Sequence, residues 1–185
     1  TQYFTPYKGN RIALYNGTSW QLLTFTEISH ALSGMTANRP YDVFAYINSG
    51  AVAIEKLVWT SDTARATALT TQNGVLVKSG DATRRYLGTF YATAATTTED
   101  SAAKRYLWNY YNRSLRSMYS ASESTASWSY STASYRQANA NTSNQLNYVI
   151  GVAEDVVSAI VPPVTIYSSG ATYRSVGLGI GLDSI

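Results

Sequence analysis

Thirty residues from Arg84 to Arg113, RRYLGTFYATAATTTEDSAAKRYLWNYYNR, constrain the fold more than any other part of the chain. Seven of them are aromatic: Tyr86, Phe90, Tyr91, Tyr106, Trp108, Tyr110 and Tyr111. They form two clusters separated by a small polar run from Ala92 to Ala103. Within each cluster the spacing is two, so Tyr86 and Phe90 flank Gly88 on one face, and Tyr106, Trp108 and Tyr110 line another. Alternation with aromatic enrichment predicts half-buried strands rather than helices. Two such strands side by side would supply the core between two sheets, because each large ring buries roughly 150–250 Å².

The flanking sequence continues in the same style. RIALYNGTSWQLLTF reads as a hairpin, with Ile12 and Leu14 alternating before Asn16-Gly17 and Trp20 and Leu22 after it. Thr24 and Glu27 fit a capping box, and Ile28 and Leu32 are four apart, which predicts a short helix to about Leu32 that Gly34 ends. YDVFAYIN puts Val43, Ala45 and Ile47 on one face and Phe44 and Tyr46 on the other, a strand covered on both sides. AIEKLVWT follows the Asn48-Ser49-Gly50 turn, and Thr60 to Ala66 is a polar loop. Ala68–Thr70 and Val75–Lys78, split by Gln72-Asn73-Gly74, predict a further hairpin, and a turn at Asp81 leads into the aromatic pair.

Beyond Arg113 the segment SWSYSTASYRQAN, with Trp128, Tyr130 and Thr132 of one parity, predicts a strand. Asn139 to Asn144 is a loop, and QLNYVIGVAEDVVSAIV is a long strand candidate bulged at Gly151 and stopped by Pro162-Pro163. TIYSS and VGLGIGLDS close the chain. In the latter, Gly177, Gly179 and Gly181 share one parity, leaving a face without side chains that another chain or sheet could approach. About ten short strands and one brief helix predict an all-β fold, an antiparallel β-sandwich of jelly-roll kind with one short helix near the N-terminus. Residues 1–33 would form an N-terminal clasp, hairpin and helix, and 34–185 the sandwich.

Charge and composition narrow the function classes. Only 14% of the 185 residues are charged, against roughly 25% in ordinary soluble domains, and Ser, Thr, Asn and Tyr take their place. A net charge of +3 with scattered Lys and Arg offers no basic stripe for nucleic acid. The absence of cysteine removes disulfides, thiolate metal sites and cysteine nucleophiles. No apolar run approaches the roughly 18 residues of a membrane-spanning helix, so no membrane insertion is expected. Thr1 rather than Met at the start fits a processed product or part of something longer.

Chemistry-bearing motifs are sparse. A lone histidine, His30, cannot build a transition-metal site, and it reads as structural. Nothing resembles Gly-x-Ser-x-Gly. Among the acids, Glu99-Asp100 and Glu154-Asp155 are neighbours, which on strands would point to opposite faces and form no glycosidase pair. Glu99-Asp100 could instead open a helical turn. Asp42, Asp62, Asp81 and Asp183 look isolated. Asn16, Asn112 and Asn141 fit the N-x-Ser/Thr acceptor pattern, Asn16 being better explained by its turn. Neither a catalytic group, a cofactor nor a metal is expected. The aromatic excess suits saccharide binding, with Tyr119, Tyr135, Tyr167 and Tyr173 near polar loops as candidate glycan contacts. Tyr3, Phe4 and Tyr7, together with Gly177, Gly179 and Gly181, are candidate subunit contacts.

YFTPYKGNRIALYNGTSWQLLTFTEIS, the central aromatic stretch and VGLGIGLDS together resemble a domain that recurs in structural proteins of tailed bacteriophages, in fibres, spikes and head decorations. The resemblance covers most of the chain and brings no catalytic or binding residues with it. It implies a β-sandwich on the virion exterior, commonly a homotrimer joined to other virion proteins, in extracellular contact with the host. A non-enzymatic virion structural protein that binds host-surface polysaccharide is therefore the expectation. The alternatives are a purely structural subunit of a capsid surface or extracellular filament, and a polysaccharide-degrading enzyme.

Overall fold

The computed structural model describes residues 1–120, 125 and 136–159. Strand is the main regular structure of the described residues: β1 (Gln2–Phe4), β2 (Arg11–Tyr15), β3 (Trp20–Thr24), β4 (Ile28–His30), β5 (Arg39–Asn48), β6 (Ala51–Val58), β7 (Leu69–Gln72), β8 (Val75–Lys78), β9 (Asp81–Ala94), β10 (Thr97–Thr98), β11 (Lys104–Arg105), β12 (Leu107–Asn109) and β13 (Asn147–Tyr148). A seven-stranded sheet runs β6-β5-β9-β8-β7, with β10 and β12 also paired to β9. All of its pairings are antiparallel. Hairpins build it. The β5–β6 turn has Ser49 and Gly50 at φ 49 and 82, and the β7–β8 turn has Asn73 and Gly74 at φ 51 and 82. Two successive left-handed residues match the twist of the flanking strands, so both turns close on two residues.

One face of this sheet carries the main apolar core. Tyr41, Val43 and Ala45 of β5 meet Leu87, Phe90 and Ala92 of β9, and the β2–β3 hairpin lays Ile12 and Leu14 over them. The hairpin spans a loop of Asn16–Ser19, in which the Asn16 side-chain oxygen accepts from the Thr18 and Ser19 amides at 2.8 Å each. Ile12 sits opposite Leu23, which also packs on the core, so Trp20 and Leu22 point the other way and Leu22 is exposed. The run Leu22-Leu23 leaves the parity of β3 open in the sequence.

The helix expected between Thr24 and Leu32 is absent, and no α-helix occurs among the described residues. Thr24 ends β3 opposite Arg11, and Ile28–His30 pair with β1 instead. Phe25 stacks on Phe4 with centroids 4.8 Å apart and planes 4° from parallel. Glu27 accepts from the Thr5 hydroxyl at 2.8 Å rather than capping a helix. Strand pairing and ring stacking across the segment outweigh a local cap worth about 1 kcal/mol.

The aromatic clusters do lie side by side, β12 pairing with β9 through Leu107–Phe90, Trp108–Thr89 and Asn109–Gly88. The faces differ from expectation. A bulge between Val43 and Phe44 leaves Leu87 without a partner on β5, with Gly88 opposite Val43 and Tyr86 opposite Phe44. One extra residue inverts the parity on its two sides. Phe90 therefore faces the main core, whereas Tyr86 faces the opposite side with Asp42 and Thr89. Tyr106, Trp108 and Tyr110 share that second side, Tyr106 buried and the other two half-buried. A Cβ on Gly88 would overlap the Trp108 carbonyl oxygen, so the close approach of β12 requires glycine there.

Of the long strand expected from Gln145, the described residues keep only β13, which pairs in parallel with β11. Two 3₁₀ turns, Ala138–Ala140 and Thr142–Asn144, precede it. After Tyr148 the chain leaves strand geometry and passes Gly151 over Tyr86 and Trp108. The strand expected around Trp128, Tyr130 and Thr132, and the closing TIYSS and VGLGIGLDS strands, lie outside the described residues.

Candidate functional site

The second face of the sheet gathers the polar and aromatic groups into one cluster. Asp42 enters it because it sits between Tyr41 and Val43 on β5, with alternating side chains. It is 1% exposed, in a strand covered on both sides. Thr89, directly opposite on β9, donates its hydroxyl to Asp42 Oδ1 at 2.7 Å, and Arg65 Nε donates to Oδ2 at 2.8 Å. The Tyr86 hydroxyl lies 2.6 Å from Thr89 Oγ1, and Arg65 Nη2 reaches it at 3.4 Å and also donates to the Gly151 carbonyl. The guanidinium carbon stands 4.4 Å from the Trp59 ring centroid. Arg65 thus ties β5, β9 and the 149–155 segment together.

Burial dominates the electrostatics. It pushes the Asp42 carboxyl above the usual carboxylate range, against the opposite pull of Arg65 and Thr89. The Tyr86 phenol is pushed far up by burial, so it stays protonated as a donor. A second guanidinium organises the rim. Arg113 lies 4.3 Å from the Tyr110 ring centroid and 5.5 Å from that of Trp108, and it pairs with Glu154 at 3.2 Å and Asp155 at 4.0 Å. Trp108 Nε1 donates to Asp155.

Glu154 and Asp155 were expected to diverge. They instead converge on Arg113, because the chain there turns rather than extends. Glu99 and Asp100 open no helical turn: Ser101 N–H donates to the Lys104 carbonyl and Asp100 bridges to Arg105, which makes a hairpin bend. Glu99 pairs with Lys104 at 3.1 Å, and Asp100 with Arg116 at 2.6 Å.

Beside the Arg65 cluster lies an open groove of about 550 Å³. Thr63, Arg65, Leu69, Thr71 and Leu76 line it, with Tyr110 and Val152 to Glu154. It presents hydroxyls, aliphatic surface, a tyrosine ring and one rim carboxylate.

The described residues among the candidate contacts singled out from sequence do not line this groove. Tyr119 is 65% exposed, its amide bonded to the Ala102 carbonyl. Tyr135, Tyr167 and Tyr173, and Gly177, Gly179 and Gly181, lie outside the described residues. Tyr3 and Tyr7 are exposed, whereas Phe4 turns inward against Phe25 and is spent on the chain's own core. His30 Nε2 contacts Lys56 Nζ at 3.2 Å. Asp42, isolated among the acids in the sequence, is the buried centre of a network. The signal was present: a carboxylate inside a strand covered on both faces needs a buried partner. Arg65, inside a polar loop, gave no such signal. Comparison with protein-family models, with curated proteins and with solved structures found no match.

Proposed function

We propose that this chain is a non-enzymatic structural protein of the exterior of a tailed-bacteriophage virion, a fibre, spike or decoration domain. In this reading it assembles as a homotrimer, joins other virion proteins and contacts host-surface polysaccharide. The observation that carries it is the set of large apolar side chains the single chain leaves in water. Tyr7, Leu22, Leu115 and Val156 are 78%, 64%, 102% and 83% exposed, on a protein whose charged fraction is only 14%. Few charges and many exposed apolar groups suit a surface that neighbouring copies cover. The resemblance seen in the aromatic stretches points the same way.

Two further features support the reading. The β2–β3 hairpin over the seven-stranded sheet is the beginning of a second layer, as an antiparallel sandwich of jelly-roll kind would have. The paired acids Glu99-Asp100 and Glu154-Asp155 are each engaged by Lys or Arg, so neither pair stands as two unpaired carboxylates of the kind a glycosidase sets across a cleft. Native mass spectrometry with sedimentation velocity tests the assembly: a trimer is expected, and a monomer at high concentration would overturn the proposal. An oligomer that binds no bacterial saccharide would reduce it to a purely structural subunit.

A further inference from the structure

We infer that the groove beside Arg65 is a subsite for an uncharged hexopyranose unit of a saccharide chain. The inference rests on the host-polysaccharide reading above and assigns it a place that the exposed tyrosines do not. A pyranose ring has one face of C–H groups and a rim of hydroxyls, so its subsite needs apolar surface next to hydrogen-bonding groups. Leu69 and Leu76 and the ring of Tyr110 supply the first. Thr63 and Thr71, both exposed, supply hydroxyls that donate and accept. Glu154, also exposed, supplies an acceptor at the rim.

The charge of the lining decides the class of sugar. Arg65 is the one cation among the lining residues; its charge is matched by Asp42 at 2.8 Å, and its Nε and Nη2 donate to Asp42, Tyr86 and the Gly151 carbonyl. The carboxylate of a uronic or sialic acid therefore meets no unpaired cation in the lining, and the neighbouring Arg113 is already taken by Glu154 and Asp155. A neutral hexose needs no such cation. The walls are also braced rather than loose. β7 and β8 form a closed hairpin, and Arg113 and Arg65 tether the 151–155 turn opposite. A braced groove loses less freedom on binding.

The test uses the full chain on an array of neutral and acidic bacterial-surface oligosaccharides, followed by calorimetric titration of the strongest neutral ligand. Thr71→Trp fills the groove from an exposed strand position where tryptophan is well tolerated, and Thr63→Trp fills it from the loop. Wild-type protein should bind neutral glycans, and both variants should lose at least about tenfold in affinity, a change of 1.4 kcal/mol, with unchanged melting temperatures. Wild-type affinity in both variants, with loss in Tyr119→Ala, would overturn the groove and leave the polysaccharide reading standing. Binding confined to acidic glycans would overturn the assignment of an uncharged sugar. No binding by the wild type to any glycan would overturn the polysaccharide reading, and the subsite with it.

Discussion

Removing Asp42 should unbalance the second face more than any other single side-chain truncation on it. In Asp42→Ala the Arg65 guanidinium keeps Tyr86 and the Gly151 carbonyl but loses its counter-charge, while its own side chain is only 20% exposed. Thr89 loses one acceptor yet keeps the Tyr86 hydroxyl at 2.6 Å, so the main cost is the uncompensated cation. Breaking one half of a buried ion pair costs about 3–5 kcal/mol. For a chain of this length each kcal/mol lowers the melting temperature by roughly 2–4 °C, so a fall of about 10 °C is expected. Replacing both partners, Asp42→Leu with Arg65→Met, should restore most of it, because two apolar side chains of similar volume avoid desolvating either charge. Urea unfolding of wild type, both single variants and the double variant gives the coupling energy directly. Single variants within about 1 kcal/mol of wild type, the level of an exposed pair, would refute the buried linchpin.

Gly151→Ala places a methyl group against the Tyr86 hydroxyl and the Trp108 ring, well inside contact distance. It should displace the 149–155 segment, cost roughly 1–3 kcal/mol as an overpacked site, and alter Trp108 fluorescence; an unchanged emission spectrum would contradict the packing. Burial and, secondarily, Lys56 lower the His30 pKa below 6.5, so the unfolded chain takes up a proton more readily. Stability from this residue is full above pH 6.5 and is lost as pH falls toward the folded value, and His30→Gln should flatten that slope in a pH series of denaturant midpoints. Asp42 has the opposite sign. Its raised pKa gives a contribution present below the unfolded value of 3.8 and lost as pH rises through the folded one, and Asp42→Asn should abolish it in the same series. Asn16→Ala removes the acceptor of two turn amides and should cost about 1–2 kcal/mol, measured by the same unfolding curves.

How much of this was legible depends on whether the information is local. Ser49-Gly50 and Asn73-Gly74 were readable as turns because their left-handed φ values restrict which residues can sit there. The two-sided burial of β5 was readable because Val43, Ala45, Phe44 and Tyr46 leave no polar face. The Thr24–Leu32 segment misled because a capping pattern and a four-residue apolar spacing are weak beside long-range partners that the local sequence does not announce: β1 for Ile28–His30, and Phe4 for Phe25. The β9 bulge shows the same limit more sharply. Tyr86, Gly88 and Phe90 keep perfect alternation in the sequence, and the extra residue at Leu87 is defined only against β5. At this spacing that bulge is what brings Tyr86 to the Asp42 side, so the polar cluster and the braced wall of the groove both depend on it. Deleting Leu87 would remove the bulge yet leave Tyr86 three residues before Phe90, still opposite Phe44 on the Asp42 side. Hydrogen exchange should then show a regular β5–β9 ladder with the phenol cluster kept, and loss of that cluster would contradict the parity argument.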